Sequence, residues 1–253
     1  MENTCNNKKM QIVVCIKYML NNKTGVSPFK INKYDRAALK SGIFLKNKLK
    51  SKLTVVTMGP ESAEDILRYS LASGADNAVL ITDKALIASD TYVTSKVIAK
   101  AVKKIGRADI VICGNRSSDG DTGQVGPQIA VNLDMPHLSC VAEICNVKQD
   151  ELDVKVQTEC EYLTYHVKYP IMLCVSRYDR AHLYNLKKLK KALQAPITKF
   201  SIADLGLSPE NVGQSGSKTE VVHSQGIVYN NECCFIDKND LSELLQTINK
   251  YRI

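Results

Sequence analysis

The chain has 253 residues, 44% of them hydrophobic, and its 34 lysines and arginines outnumber 26 acidic residues for a net charge of +8. That is enough apolar material for one substantial core plus an appended segment. No apolar run approaches the roughly 20 residues of a membrane helix, and residues 1–9 lack the apolar core of a signal peptide, so a cytoplasmic protein without a membrane span is expected.

Residues 11–16, Gln-Ile-Val-Val-Cys-Ile, form a continuous apolar run, the pattern of a central parallel strand buried on both faces. After a polar segment with Gly25 and Pro28, Ala38, Leu39, Ile43, Phe44 and Leu49 recur at helical spacing and predict a helix over 34–49. A second buried strand spans 53–58 and stops at Gly59-Pro60. Pro60, Glu61, Glu64 and Asp65 then suit the start of a helix running to Ala72. Gly74 ends it, residues 78–81 give a third strand, and Ser89 or Asp90 caps a helix reaching Ile105. Residues 109–113 form a fourth strand. The polar loop that follows, with glycines at 114, 120, 123 and 126, leads into a helix at 127–133. Strands alternating with helices predict a Rossmann-like α/β fold, a parallel sheet wound by helices.

Beyond Leu133 the texture changes. Short β-type runs at 139–147, 152–158 and 161–168 predict antiparallel strands that extend the sheet, and Pro170 introduces another buried run at 171–175. A short helix is expected over 183–193. Residues 196–220 hold many turn formers and few periodic apolar positions, so they form no core of their own and must lie against something else. Leu241, Leu244, Leu245 and Ile248 share one face of a final helix. The expected division is an α/β domain over 1–195 and an arm and helix over 196–253 that pack on a partner or back onto the domain.

Nine cysteines occur without a CxxC pair, and none of the four histidines stands at ligand spacing from them, so no metal site is expected. Cys15, Cys113 and Cys174 lie inside apolar runs and read as buried, reduced thiols. The lysine clusters at 46–52 and 187–191 lack the interleaved aromatics of a single-strand groove, which disfavours nucleic acid. There is no GxSxG elbow, no GxxxxGK[ST] loop and no GxGxxG after the first strand. Ser117, Ser118 and Thr122 have no histidine nearby in sequence and suit hydrogen bonding to phosphate better than nucleophilic attack. No catalytic residue is assigned. The strand–loop–helix junction around 114–127 aims backbone amides and a helix N-terminus at one point, which favours a phosphate, and its glycines are expected to keep the main chain open to it.

The loop Asp119-Gly120-Asp121-Thr122-Gly123-Gln124-Val125-Gly126-Pro127, the preceding Cys113-Gly114-Asn115-Arg116, the Met58-Gly59-Pro60 turn and the run from Leu67 to Asp76 together resemble the β subunit of electron-transfer flavoproteins. Asp204-Leu205-Gly206-Leu207-Ser208-Pro209 and the stretch from Val212 to Ser217 also look like that family's arm. The resemblance implies that 1–195 is an adenine-nucleotide-binding domain paired with an FAD-carrying α subunit, and that the arm and helix over 196–253 embrace that partner. It implies phosphate contacts from Gly114, Asn115, Arg116, Ser117, Ser118, Asp119, Gly120, Asp121, Thr122, Gly123, Gln124 and Val125. Cys15, Asn32, Asp35 and Met58 would surround the adenosine.

Family members hold either AMP or a second FAD there. Those with FAD take electrons from NADH and carry a motif similar to Ala88-Ser89-Asp90-Thr91-Tyr92-Val93-Thr94-Ser95, so FAD is expected here with AMP as the alternative, and Asp90, Thr91 and Thr94 join the cofactor set. A capped helix start explains the same residues. Implied partners are the α subunit and an acyl-CoA or other flavin-dependent dehydrogenase, which Leu183 would anchor. The chain departs from the family at Tyr18-Met19-Leu20, where a Gln-Val-Pro stretch is usual, and in a shortened recognition loop over 177–185. The competing reading is a stand-alone adenine-nucleotide-binding regulator or ATP-using enzyme of the same fold.

Overall fold

The computed structural model describes residues 9–20, 29–177, 186–222 and 241–250. The chain divides into two compact units, Met1–Glu220 and Val221–Ile253. In the first, β1 (Gln11–Cys15) leads through a small antiparallel hairpin, β2 (Met19–Leu20) with β3 (Phe29–Lys30), to α1 (Lys33–Leu49). β4 (Lys52–Met58), α2 (Glu64–Ser73), β5 (Asn77–Ile81), α3 (Thr91–Ile105), β6 (Ile110–Gly114), α4 (Val125–Leu133) and β7 (His137–Cys145) then alternate. β8 (Glu151–Gln157), β9 (Tyr162–Lys168) and β10 (Ile171–Val175) follow, then α5 (Leu186–Gln194), β11 (Thr198–Phe200) and the single turn α6 (Gly213–Gly216). In the second unit, α7 (Leu241–Lys250) exposes Leu244, Leu245 and Ile248 along one side.

The main sheet runs β11-β5-β4-β1-β6-β10-β7-β8-β9. Its first seven strands pair in parallel and the last two are antiparallel. This is the wound α/β sheet with antiparallel additions that the pattern of apolar runs predicts. Alternate residues of β1 enter two layers: Ile12 and Val14 pack with Leu39 and Leu45 of α1, Val13 and Cys15 with Val93 and Val97 of α3. Burial on both faces explains why the strand reads as continuous apolar sequence rather than alternation. Each fully buried isoleucine or leucine there contributes about 1.5–3 kcal/mol relative to exposure, so the central strands form a rigid floor for the loops at their ends.

Three expectations change. β7 is antiparallel to β8 but parallel to β10, because it closes a β6–α4–β7 crossover into which β10 later inserts. The 2- and 3-residue strands β2, β3 and β11 are absent from the sequence reading, since so short a run carries no periodicity. The stretch after Pro196 finds its support on its own domain: β11 extends the sheet beside β5, and Ile202, Leu205 and Val212 are buried in the α3-side core. Its order therefore does not by itself require a partner chain. The helix predicted over 183–193 is α5, and its residues 183–185, Leu183 among them, lie outside the described residues.

Candidate functional site

The chain leaves β1 for α1 and β4 on one side of the sheet and returns through β6 on the other. The C-terminal ends of β1 and β6 therefore splay apart at a topological switch point, where open α/β sheets place their ligands. A cavity of about 380 Å³ opens there. Cys15, Ile16, Lys17 and Tyr18 line it from β1, Met58 from β4, Ser89, Asp90, Thr91, Thr94 and Ile98 from the start of α3, and residues 113–117, 120 and 122–126 from β6, its loop and α4.

Two helices of different origin point their N-termini into this space. α3 is capped by Asp90 Oδ1, which accepts the Val93 amide at 2.9 Å. α4 begins at Val125. Thr91 Oγ1 donates to Gln124 Oε1 at 3.0 Å and ties the two helix starts together. Positive helix ends and the hydroxyls of Ser89, Thr91, Thr94, Ser117 and Thr122 make the cavity receptive to anions, while Ile16, Met58, Ile98 and Val125 supply apolar surface.

Asp35 forms the cavity floor. Its carboxylate accepts the Lys17 amide at 3.0 Å and the Gly114 amide, and a Cβ on Gly114 would fall on Asp35 Oδ1. Burial raises the Asp35 carboxyl to about 7, and the two amide bonds hold it from rising further. Cys15 is pushed up to about 12 by burial, with the Asp35 charge adding to the effect. Beside it Cys113 Sγ lies 3.8 Å from Cys174 Sγ, and these three are free buried thiols. The Cys174 contact and burial raise Cys113, and burial raises Cys15; a buried protonated thiol is a poor nucleophile, so these two serve as packing.

The loop over the cavity is braced from outside. Lys17 Nζ pairs with Asp119 at 2.7 Å and Arg116 with Asp121 at 3.4 Å. Burial opposes ionisation of Asp119, but bonds from Lys17 and Ser117 outweigh it and hold the carboxyl at about 2. Asn32 caps α1 through the Tyr34 amide and donates from Nδ2 to the Arg116 carbonyl. Asn115 Oδ1 accepts the Cys140 amide at 3.0 Å, at a point where Cys140 has a φ of 56° and β7 is irregular.

Of the residues singled out in the sequence, Cys15, Asp35, Met58, Asp90, Thr91, Thr94, Gly114, Asn115, Arg116, Ser117, Gly120, Thr122, Gly123, Gln124 and Val125 line the cavity. Asn32, Ser118, Asp119 and Asp121 do not; they hold the loop in place, Ser118 donating to Met19 Sδ at 3.9 Å. Gly126 lines the cavity and has a further task. A Cβ there would stand 2.5 Å from Cys174 Sγ and 2.8 Å from Cys113 Sγ, so glycine lets α4 lie on the sheet. Sequence reasoning left Ile16, Lys17, Tyr18, Ser89 and Ile98 out of the cofactor set, although all five line the cavity. Ile98 was within reach, since it continues the helical face of Thr91 and Thr94.

Asp90 also has a second role. Its Oδ2 accepts the amides of Lys218 and Thr219 at 2.7 and 3.1 Å and the Thr219 hydroxyl at 3.2 Å. Burial disfavours its charge, but these bonds and the helix cap win and hold the carboxyl below its usual range. Among the described residues there is no group of three potential metal ligands and no helix long and apolar enough to cross a membrane.

Comparison with known proteins agrees with this architecture. The profile of the electron transfer flavoprotein domain matches residues 26–205. The chain is 40% identical over 197 residues to an electron transfer flavoprotein subunit beta of Thermoanaerobacterium thermosaccharolyticum, covering 77% of this chain and 75% of that one. It is 35% identical over 229 residues to the caffeyl-CoA reductase-Etf complex subunit CarD of Acetobacterium woodii, covering 85% and 87%. It is 36% identical over 233 residues to protein FixA of Rhizobium meliloti, covering 84% and 80%. The chain belongs to the electron transfer flavoprotein family, as a relative of its β subunits.

Proposed function

We propose that this chain is the β subunit of a heterodimeric electron-transfer flavoprotein and that the switch-point cavity holds FAD. The observation that carries the choice of FAD over AMP is the pair of helix N-termini, α3 and α4, opening into one cavity and joined by the Thr91–Gln124 bond. One such end serves a single phosphate or a pyrophosphate; the second, with the hydroxyls of Ser89, Thr91 and Thr94, offers donors for the further phosphate and ribityl groups that AMP lacks. Arg116 and Lys17 at the rim add cationic character, although each is paired with a loop carboxylate that an entering phosphate must compete with. The apolar side chains Ile16, Met58 and Ile98 suit the adenine.

When bound, a flavin supplies the capacity to accept two electrons and release them singly. The chain's own residues bind and orient it. The loop from Gly114 to Val125 and the α3 start take the phosphates, and Asp35 fixes the floor by accepting the Lys17 and Gly114 amides. Similarity to the subunit of a caffeyl-CoA reductase-Etf complex supports electron bifurcation from NADH, with an α subunit and a flavin-dependent dehydrogenase as partners.

Titrating AMP and FAD separately into the full-length chain and its Thr91→Val variant tests the reading. The expected result is tighter binding of FAD than of AMP, with the substitution weakening FAD and leaving AMP nearly unchanged. Equal loss for both ligands, or a preference for AMP, contradicts it.

A further inference from the structure

We propose that the segment from Val212 to Thr219 is an electrostatic cap of the nucleotide pocket, so that docking of this arm and binding of the anionic ligand are coupled through Asp90. The proposal rests on the nucleotide reading above.

Asp90 belongs to both structures. It lines the cavity and caps α3 through Oδ1, while Oδ2 is enclosed by the Lys218 and Thr219 amides and the Thr219 hydroxyl. Its own amide donates to Ser217 Oγ at 2.9 Å, and that hydroxyl donates to the Gly213 carbonyl at 2.7 Å. Lys218 Nζ stands 5.5 Å from the centre of the Tyr92 ring, which adds a positive charge beside the α3 start. The arm is seated closely: Val212 is buried, Gly213 has a φ of 60°, and a Cβ on it would collide with the Ala85 carbonyl oxygen.

The sign of the coupling follows from charge. An uncovered carboxylate at the mouth of a phosphate site repels the phosphate and offsets the helix end beneath it. With the arm docked, donors surround that carboxylate and a lysine accompanies it. Nucleotide binding then favours the docked arm, and a docked arm raises nucleotide affinity by the same factor. Residues 212–219 thus act as a positioning element for the site.

The test uses the full-length chain, titrated with AMP and with FAD, together with hydrogen exchange of peptides covering 212–222. Saturating nucleotide is expected to slow exchange at Lys218 and Thr219. Gly213→Ala, which contacts no cavity residue on the ligand side, is expected to speed that exchange and weaken nucleotide binding by at least about fivefold, the lower end of typical coupling between sites. Adding Asp90→Asn to that variant is expected to restore part of the affinity, because the uncovered group no longer carries charge. Nucleotide binding without any change in arm exchange overturns the proposal, as does a Gly213→Ala chain with wild-type exchange, undiminished affinity, or a loss that Asp90→Asn leaves unrestored. A wild-type chain that binds neither AMP nor FAD refutes instead the nucleotide reading itself.

Discussion

Asp35→Asn removes a buried carboxyl whose ionisation the fold disfavours, and the consequence is a change in how stability depends on pH. Burial raises this group from 3.8 to about 7. Between those values the folded chain binds more protons than the unfolded chain, so stability falls as pH rises. Integrating the difference from pH 5 to pH 7 gives a loss of about 2 kcal/mol from this one site. The asparagine variant cannot accept both the Lys17 and Gly114 amides, but that cost is the same at every pH. Urea unfolding of the two proteins at pH 5, 6 and 7 separates the effects: the stability of the wild type relative to Asp35→Asn should fall by about 2 kcal/mol across the series. Parallel profiles would refute the assignment of a protonated fraction to Asp35, and a rising difference would show that the amide bonds overcome burial altogether.

Gly126→Ala should destabilise the chain by about 1–3 kcal/mol, because the added methyl overlaps Cys174 and Cys113 and must push α4 off the sheet; thermal unfolding measures this, and an unchanged midpoint would contradict the packing role. At the outer end of the sheet, His166 bridges Asp153 Oδ1 at 2.6 Å and Glu151 Oε2 at 2.8 Å, and these carboxylates raise its pKa. Its contribution to holding β9 on β8 is complete below the unfolded value of 6.5 and is lost as pH rises through the raised folded value. Amide exchange in β9 should therefore accelerate on that rise beyond the intrinsic effect of pH, and His166→Gln should abolish the extra acceleration.

The central sheet was legible because β1, β4, β6 and β10 are buried on both faces and print continuous apolar runs; Gly59-Pro60 closes β4, Gly114 ends β6 and Pro170 introduces β10. The cavity was legible for a related reason: a strand, a polar glycine-rich loop and a helix in succession fix where a loop must sit. What escaped depends on contacts between distant residues. Nothing local to Gly126 announces that two cysteine sulfurs, one of them on β10, lie against it. Nothing in Ser89-Asp90-Thr91 reveals that Lys218 and Thr219 return to the same carboxylate. The loop carboxylate Asp119 reads as a ligand group because its partner Lys17 lies about a hundred residues away at the end of β1, and only the folded chain pairs them; Asp121 is taken up by Arg116 within the loop itself.

The central claim is that the switch-point cavity is a flavin-nucleotide site of a heterodimer. Isolating the chain together with a co-expressed α subunit, releasing the bound nucleotides and counting them tests it most directly. Two FAD per heterodimer is the predicted result; a single flavin, whether alone or accompanied by AMP, would contradict it.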